Sequence, residues 1–225
     1  MGTLYIVATP IGNLEDITLR AVRVLCEVDL ILCEDTRMTK RLMDKYDIKK
    51  PVKTFNSHST AGGREDIYEM LSEGKNIALV TDAGTPGISD PGSFLVAEVR
   101  EKFGDEIKIT PVPGASALTT ALSASGVPAS DFLFLGFLPH KKGRQTLMKE
   151  IATSERTVVF YESPHRILKA LAELSKFVPQ RKITIARELT KIYEEYLSGT
   201  PEELSNLLKS NSQKQKGEFV VIVSA

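Results

Sequence analysis

Residues 80–92 read VTDAGTPGISDPG, with three glycines, two prolines and two aspartates in one stretch. Glycine lets a backbone take positive φ and approach a ligand closely, and proline fixes φ and removes a competing donor. A short apolar run, Asn76 to Val80, precedes the stretch and has the character of a buried strand. A helical pattern over Ser93–Lys102 follows it, with Phe94, Leu95, Ala97, Val99 and Phe103 as its apolar positions. In open α/β sheets, ligands sit outside the carboxyl ends of the strands. A rigid small-residue loop carrying Asp82 at such an end is a pocket wall by position; the plainer reading is a tight turn with no ligand.

Charged clusters follow other strand-like runs. Glu34-Asp35-Thr36-Arg37 comes directly after DLILC, Glu162-Ser163-Pro164-His165-Arg166 after TVVFY, and Arg187-Glu188-Leu189-Thr190-Lys191 after ITIA. His165 falls on the first turn expected of its helix. Two readings of Glu162, Arg166, Arg187 and Glu188 stand: a structural ion-pair network where two domains meet, or groups that touch a substrate or cofactor. No Ser-His-Asp arrangement follows from these spacings.

Other chemistries find no support. None of the loops is GxGxxG or GxxxxGK[ST], and Asp82-Ala83-Gly84 lacks the lysine a nucleoside triphosphate requires. Cys26 and Cys33 fit no zinc spacing, and His58, His140 and His165 are the only histidines, so no metal site is expected. The charge is balanced, 29 basic against 29 acidic residues, so any nucleic-acid partner must be met by a local patch. Candidate patches are Arg37, Lys40 and Arg41 on one helix, and His140, Lys141, Lys142, Arg144 and Lys149 along another; each reads equally as a solvated helix face. No apolar run is long enough to span a bilayer and no basic-then-apolar leader opens the chain, so a cytoplasmic protein is expected.

The elements that must position these groups alternate. Strands are expected at 3–8, 29–33, 51–55, 76–80 and 106–110. Helices are expected over 18–27, with Leu19, Val22, Leu25 and Cys26 inward, and over 38–46, 64–73 and 93–102. Asn56-Ser57-His58-Ser59 reads as a polar loop. This order implies a parallel sheet covered on both faces. Four loops then share one edge: Thr9–Asn13, Glu34–Arg37, Asp82–Asp90 and Pro111–Ser116. After Asp131 strands outnumber crossover helices: 132–137, 157–161, 183–186, 193–197 and 219–223, with helices over 141–152, 164–176 and 201–209. A mixed sheet and a second domain are expected. Gly126-Val127-Pro128 reads as a joint, and the domains are assigned as 1–117 and 118–225.

TLYIVATPIGNLEDITLRA, EDTR, VTDAGTPGISDPG, PVPGASA, ALSASG, FLFLGFLP, FYESPHR, ARELTK and KGEFVVIV occur in this order from end to end of the chain. Together they closely resemble the bacterial enzymes that methylate the ribose 2′-hydroxyl of a cytidine in the decoding region of 16S ribosomal RNA, a branch of the tetrapyrrole-methylase superfamily. The resemblance implies a two-domain α/β fold, a homodimer acting on the small ribosomal subunit, and S-adenosylmethionine held in the cleft between domains. By matching motifs it implies cofactor contacts at Thr9, Pro10, Asp82, Ala83, Gly84, Gly87, Ile88, Ser116 and Ala117, completed by Tyr161, Glu162, Ala186 and Arg187. One departure is Met38, where such enzymes commonly carry His after EDTR.

The residues suit that chemistry. A sulfonium carries its own activation, so what remains is in-line placement of the 2′-oxygen, worth ~7–11 kcal/mol at best. The hydroxyl must also lose a proton to a carboxylate, a histidine or water. Asp35, Glu162 and Glu188 are the carboxylate candidates. Two other readings are a tetrapyrrole methyltransferase on the same fold and a non-catalytic nucleotide-binding module.

Overall fold

A computed structural model describes residues 1–56 and 61–225 of the chain; Ser57, His58 and Ser59 of the expected polar loop lie outside them. The chain divides into two units, Met1–Ser116 and Ala117–Ala225.

In the first unit the order is β1 (Thr3–Val7), α1 (Leu19–Glu27), β2 (Leu30–Cys33), α2 (Thr36–Lys45), β3 (Val52–Thr54), α3 (Ala61–Ser72), β4 (Ile77–Leu79), α4 (Gly92–Phe103) and β5 (Lys108–Val112). The strands line up β3-β2-β4-β1-β5, and every pairing is parallel. Successive strand residues face opposite sides. Tyr5, Val7, Ile31, Cys33, Ala78 and Val80 therefore pack into one core. Leu4, Ile6, Leu30, Leu32, Ile77 and Leu79 pack into the other. Two covered faces explain why these strands read as unbroken apolar runs. Parallel strands joined by crossover helices put the carboxyl ends of β1, β2, β4 and β5 on one edge, where the four loops emerge.

Two helix faces differ from expectation. The Thr18 hydroxyl caps α1 by accepting the Ala21 N–H at 3.0 Å. The stripe turned inward is then Ala21, Val24 and Leu25, while Leu19 is 91% exposed and Cys26 is exposed. Both stripes have helical spacing; the one used begins with a small residue that lets the helix approach the sheet and ends at buried Val28. On α4, Leu95 and Val99 are buried, whereas Phe94 is half exposed with the Arg64 guanidinium over its ring.

The second unit runs α5 (Ala117–Ser125), β6 (Phe132–Phe137), α6 (Arg144–Thr153), β7 (Thr157–Glu162), α7 (Ile167–Phe177), β8 (Ile183–Arg187), β9 (Glu195–Gly199), α8 (Pro201–Ser210) and β10 (Phe219–Val223). Gly126–Pro128 lies inside this unit, between α5 and β6. The strand order is β6-β7-β10-β8-β9; β6–β7 is parallel and the other three pairings are antiparallel, a mixed sheet. Met148, Phe160, Leu171, Ile185, Leu204 and Val221 are among the fully buried side chains of its core. Thr200 and Glu203 form a reciprocal capping box at the start of α8, with Pro201 as its first residue. Helices α6 and α7 start later than expected. Lys141 and Lys142 therefore lie in the turn before α6, and His165 lies in the turn before α7.

Candidate cofactor and substrate site

The β4 loop ties together the loops of its neighbours. Thr9 and Gly84 form an antiparallel bridge, with N–H to O distances of 2.9 Å from Thr9 and 3.1 Å from Gly84. The Thr9 hydroxyl donates to the Thr81 carbonyl at 3.0 Å. On the β2 side, the Asp35 N–H donates to Asp82 Oδ1 at 3.0 Å, and the Thr81 hydroxyl donates to the Glu34 carboxylate. On the β5 side, the Thr85 hydroxyl donates to the Ala115 carbonyl at 3.1 Å. Each of the other three strand-end loops is thus fixed to residues 81–85.

The rest of the loop is held by its own aspartate. Both oxygens of Asp90 accept the Gly87 N–H, at 2.8 and 2.9 Å, and Oδ1 also accepts the Gly92 N–H at 2.7 Å. Gly84 and Gly87 take φ of +89° and +86°, values that L side chains adopt at a cost. A Cβ on Gly92 would stand 2.8 Å from Asp90 Oδ1 and 3.0 Å from the Gly87 nitrogen, so only glycine fits there. Thr9 and Pro10 are buried, whereas Asp82, Ala83 and Ile88 remain exposed at the edge.

Three carboxylates gather there. Burial pushes the Cys33 thiol up, and Asp82, Asp35 and Glu34 push it further, while a hydrogen bond with Thr39 opposes them. Asp35 caps α2 by accepting the Arg37 N–H at 2.8 Å, and its carboxylate pairs with the Arg37 guanidinium at 2.6 Å. The Arg37 side-chain hydrogen bond holds the Asp35 carboxyl at about 2. A general base works best with a pKa near the operating pH, and Asp35 lies far below it.

The second unit's strand ends hold two separate ion networks. Glu162 is 1% exposed. It faces Arg166 Nε at 2.8 Å and Arg144 Nη1 at 3.6 Å. Arg144 also pairs with Glu173 at 2.6 Å and donates to the Pro139 carbonyl, and Arg166 donates to the Leu138 carbonyl. Arg144 is counted among the phosphate-contacting cations from sequence. It is instead 3% exposed, its charge spent on two glutamates inside the unit, and it leaves the set of surface cations.

In the other network Arg187, 6% exposed, pairs with Glu195 at 3.0 Å and donates to the carbonyls of Lys216, Tyr193 and Gln213. Lys191 bridges Glu188 at 2.9 Å and Glu218 at 2.8 Å. Burial raises the Glu188 carboxyl, but hydrogen bonds from Lys191 and the Glu218 N–H outweigh it and leave the group lowered. Glu188 and Thr190 have φ of +50° and +66°, strained values for residues with a Cβ. Ala186 is buried, and Tyr161 is half-buried with edge-on contacts to Phe134 and Phe137 at 5.0 and 5.4 Å. Ser116 ends the first unit and Ala117 opens α5.

Arg37, Lys40, Arg41, Lys141 and Lys142 are exposed. Sequence reasoning missed Thr81, Thr85 and the bracing role of Asp90. An aspartate three residues after a glycine and two before another is a turn signal that points to Asp90. The two threonines carry no comparable signal. Among the described residues no group of three or more His, Cys, Asp or Glu could hold a metal ion.

A parallel α/β unit with a Pro/Gly-rich loop at its sheet edge, followed by a mixed-sheet unit, is the architecture of one methylase family. The chain belongs to that family, the tetrapyrrole (corrin/porphyrin) methylases, whose model matches residues 3–205. Among its relatives, it is 47% identical over 225 residues to "Ribosomal RNA small subunit methyltransferase I" of Thermotoga maritima, covering 100% of this chain and 99% of that one. It is 43% identical over 224 residues to the protein of that name in Bacillus subtilis, covering 99% and 75%. Solved structures share the fold at lower identity. Diphthine synthase has a TM-score of 0.74 at 14% identity, covering 100% of this chain and 90% of that one. The methyltransferase CobJ has 0.71 at 21%, covering 100% and 94%. A Thermus thermophilus uroporphyrin-III C-methyltransferase complexed with S-adenyl homocysteine has 0.63 at 16%, covering 99% and 97%.

Proposed function

We propose that the protein transfers a methyl group from S-adenosylmethionine to the ribose 2′-hydroxyl of a cytidine in the decoding region of 16S ribosomal RNA. The observation that carries this reading is identity of 43–47% along essentially the whole chain to small-subunit ribosomal RNA methyltransferases. The structural neighbours named as cobalt-precorrin-4 and uroporphyrin-III methyltransferases are 17% and 19% identical, a likeness of fold that does not select a substrate.

The first unit's residues fit the cofactor. Gly84 and Gly87 hold positive φ in a pinned loop; Gly84 is buried in the bridge to Thr9, and Gly87 is part-exposed at the sheet edge, where a residue without a side chain lets a ligand come close to the backbone. Asp82, Asp35 and Glu34 surround that edge with negative charge suited to a sulfonium cation. When bound, the cofactor supplies an electrophilic methyl carbon. In this reading Thr9, Pro10, Asp82, Ala83, Gly84, Gly87 and Ile88 bind and orient it. Asp35, kept anionic by Arg37, accepts a hydrogen bond at the substrate side, and water carries off the hydroxyl proton. Arg37, Lys40, Arg41, Lys141 and Lys142 contact RNA phosphates. We take the homodimer and a cytoplasmic location as part of the same proposal.

The test is incubation with labelled S-adenosylmethionine and unmethylated small subunits, followed by mapping of the label. Transfer to one ribose in the decoding region supports the proposal, and transfer only to a tetrapyrrole refutes it.

A further inference from the structure

The chain has no net charge, 29 cations against 29 anions, yet its basic residues are unevenly placed. Residues 36–53 contain Arg37, Lys40, Arg41, Lys45, Lys49, Lys50 and Lys53 against Asp44 and Asp47, so seven minus two leaves +5, and the rest of the chain carries −5. Such a concentration creates a local field that the overall charge conceals.

Three of these cations, Lys40, Lys49 and Lys50, line a groove of about 680 Å³ between α2 and β3, the edge strand of the first sheet. Met43 and Ile48, both buried, form its floor. Lys40, Lys49 and Lys50 stand on its rim, with Asp44 as the one acidic lining residue. Thr36 lines the groove next to Asp35, whose N–H is bonded to Asp82. The groove therefore runs outward along the sheet edge from the strand ends that carry the candidate site.

The cations of this segment are unequally engaged. Arg37 is paired with Asp35, Lys53 with Asp66 at 2.8 Å, and Lys49 with Asp47 at 2.9 Å in a pair that is four-fifths exposed. Exposed pairs of that kind contribute little and exchange readily. Among the described residues Lys40, Lys45 and Lys50 have no carboxylate in ion-pair range. An open track with spaced lysines and an apolar floor suits a polyanion with repeating charges better than a single small anion, for which lysines alone provide no enclosing set of donors.

We propose that this groove binds the phosphodiester backbone of the RNA strand flanking the methylated nucleotide, with Lys40 and Lys50 as its phosphate contacts. The inference rests on the RNA-methyltransferase reading above and adds to it where the substrate strand leaves the site.

The test compares the wild type with Lys40→Gln/Lys50→Gln in methyl transfer to unmethylated small subunits across a series of KCl concentrations. A matched control, Lys182→Gln/Lys209→Gln, removes the same charge from exposed positions of the second unit. The groove variant should raise the apparent KM about tenfold and flatten the salt slope by about 1.4–2, as loss of two phosphate contacts requires. Affinity for S-adenosylhomocysteine and melting temperature should stay unchanged. An unaltered KM and slope overturn the groove, and so does an equal change in the control. If the wild type itself fails to methylate small subunits, the functional reading falls separately. Filter binding of a decoding-region RNA fragment then tests the groove alone, and full binding by the variant overturns it.

Discussion

Thr9 and Gly84 exchange two backbone hydrogen bonds across 75 positions of sequence, at 2.9 and 3.1 Å. This bridge joins the β1 loop to the β4 loop at the sheet edge, and it requires Gly84 to hold φ of +89°. A Cβ there would lie 3.4 Å from Ile11 Cγ2, so space is available but the backbone conformation is not. Gly84→Val should cost about 1–3 kcal/mol of strain and lower S-adenosylhomocysteine affinity at least tenfold while the fold survives. Calorimetry with circular dichroism checks this; wild-type affinity would remove the loop from the cofactor site.

Glu162 and Arg144 concern stability. Glu162 Oε2 and Arg144 Nη2 are buried without a hydrogen bond, in a cluster where Glu162 and Glu173 face Arg144 and Arg166. Removing one partner of a buried pair is destabilising by roughly 3–5 kcal/mol. Glu162→Gln should lower the melting temperature substantially, with methyl transfer per folded molecule nearly retained at low temperature. A lost single-turnover rate at an unchanged melting temperature would instead place Glu162 in the chemistry.

Asp35 should titrate at about 2 in the folded protein. Its pKa is depressed, so the stability it contributes is present above the ordinary value near 3.8 and is lost as pH falls towards 2. Arg37→Ala should return the midpoint towards the ordinary value, as read by carboxyl-carbon NMR. A methyl-transfer rate that follows a midpoint between pH 5 and 8 assigned to Asp35 would contradict the orienting role given to it.

Lys141 and Lys142 precede α6 in an exposed turn, free of the buried network that holds Arg144. Lys141→Glu with Lys142→Glu should weaken binding of the small subunit and flatten its salt dependence by about 2, leaving cofactor affinity intact. An unchanged salt slope would make the turn a solvated surface.

Much of this molecule was legible in the order of its residues. Apolar runs such as Leu30–Cys33 become strands buried on both faces, and Pro/Gly turns mark their carboxyl ends, so the shared edge follows from parallel topology alone. Which of two helical stripes on α1 turns inward depends on the Thr18 cap and the sheet beneath, and periodicity does not distinguish them. Arg144 misled for a related reason. A cation in a run of lysines reads as surface, and only the fold brings Glu162 and Glu173, 18 and 29 positions away, against it. The ESPHR and RELTK segments, alike in composition, lie in separate networks, because β10 stands between β7 and β8 in the sheet.

The central claim is the identity of the methylated atom. Unmethylated small subunits should be incubated with the protein and isotopically labelled S-adenosylmethionine, the RNA digested to nucleosides, and the label located by mass spectrometry and primer extension. The account predicts labelled 2′-O-methylcytidine at a single decoding-region position, absent when Gly84→Val replaces the wild type. Unlabelled RNA, or label on a base atom, with efficient methylation of a uroporphyrinogen-type substrate in parallel, would contradict it.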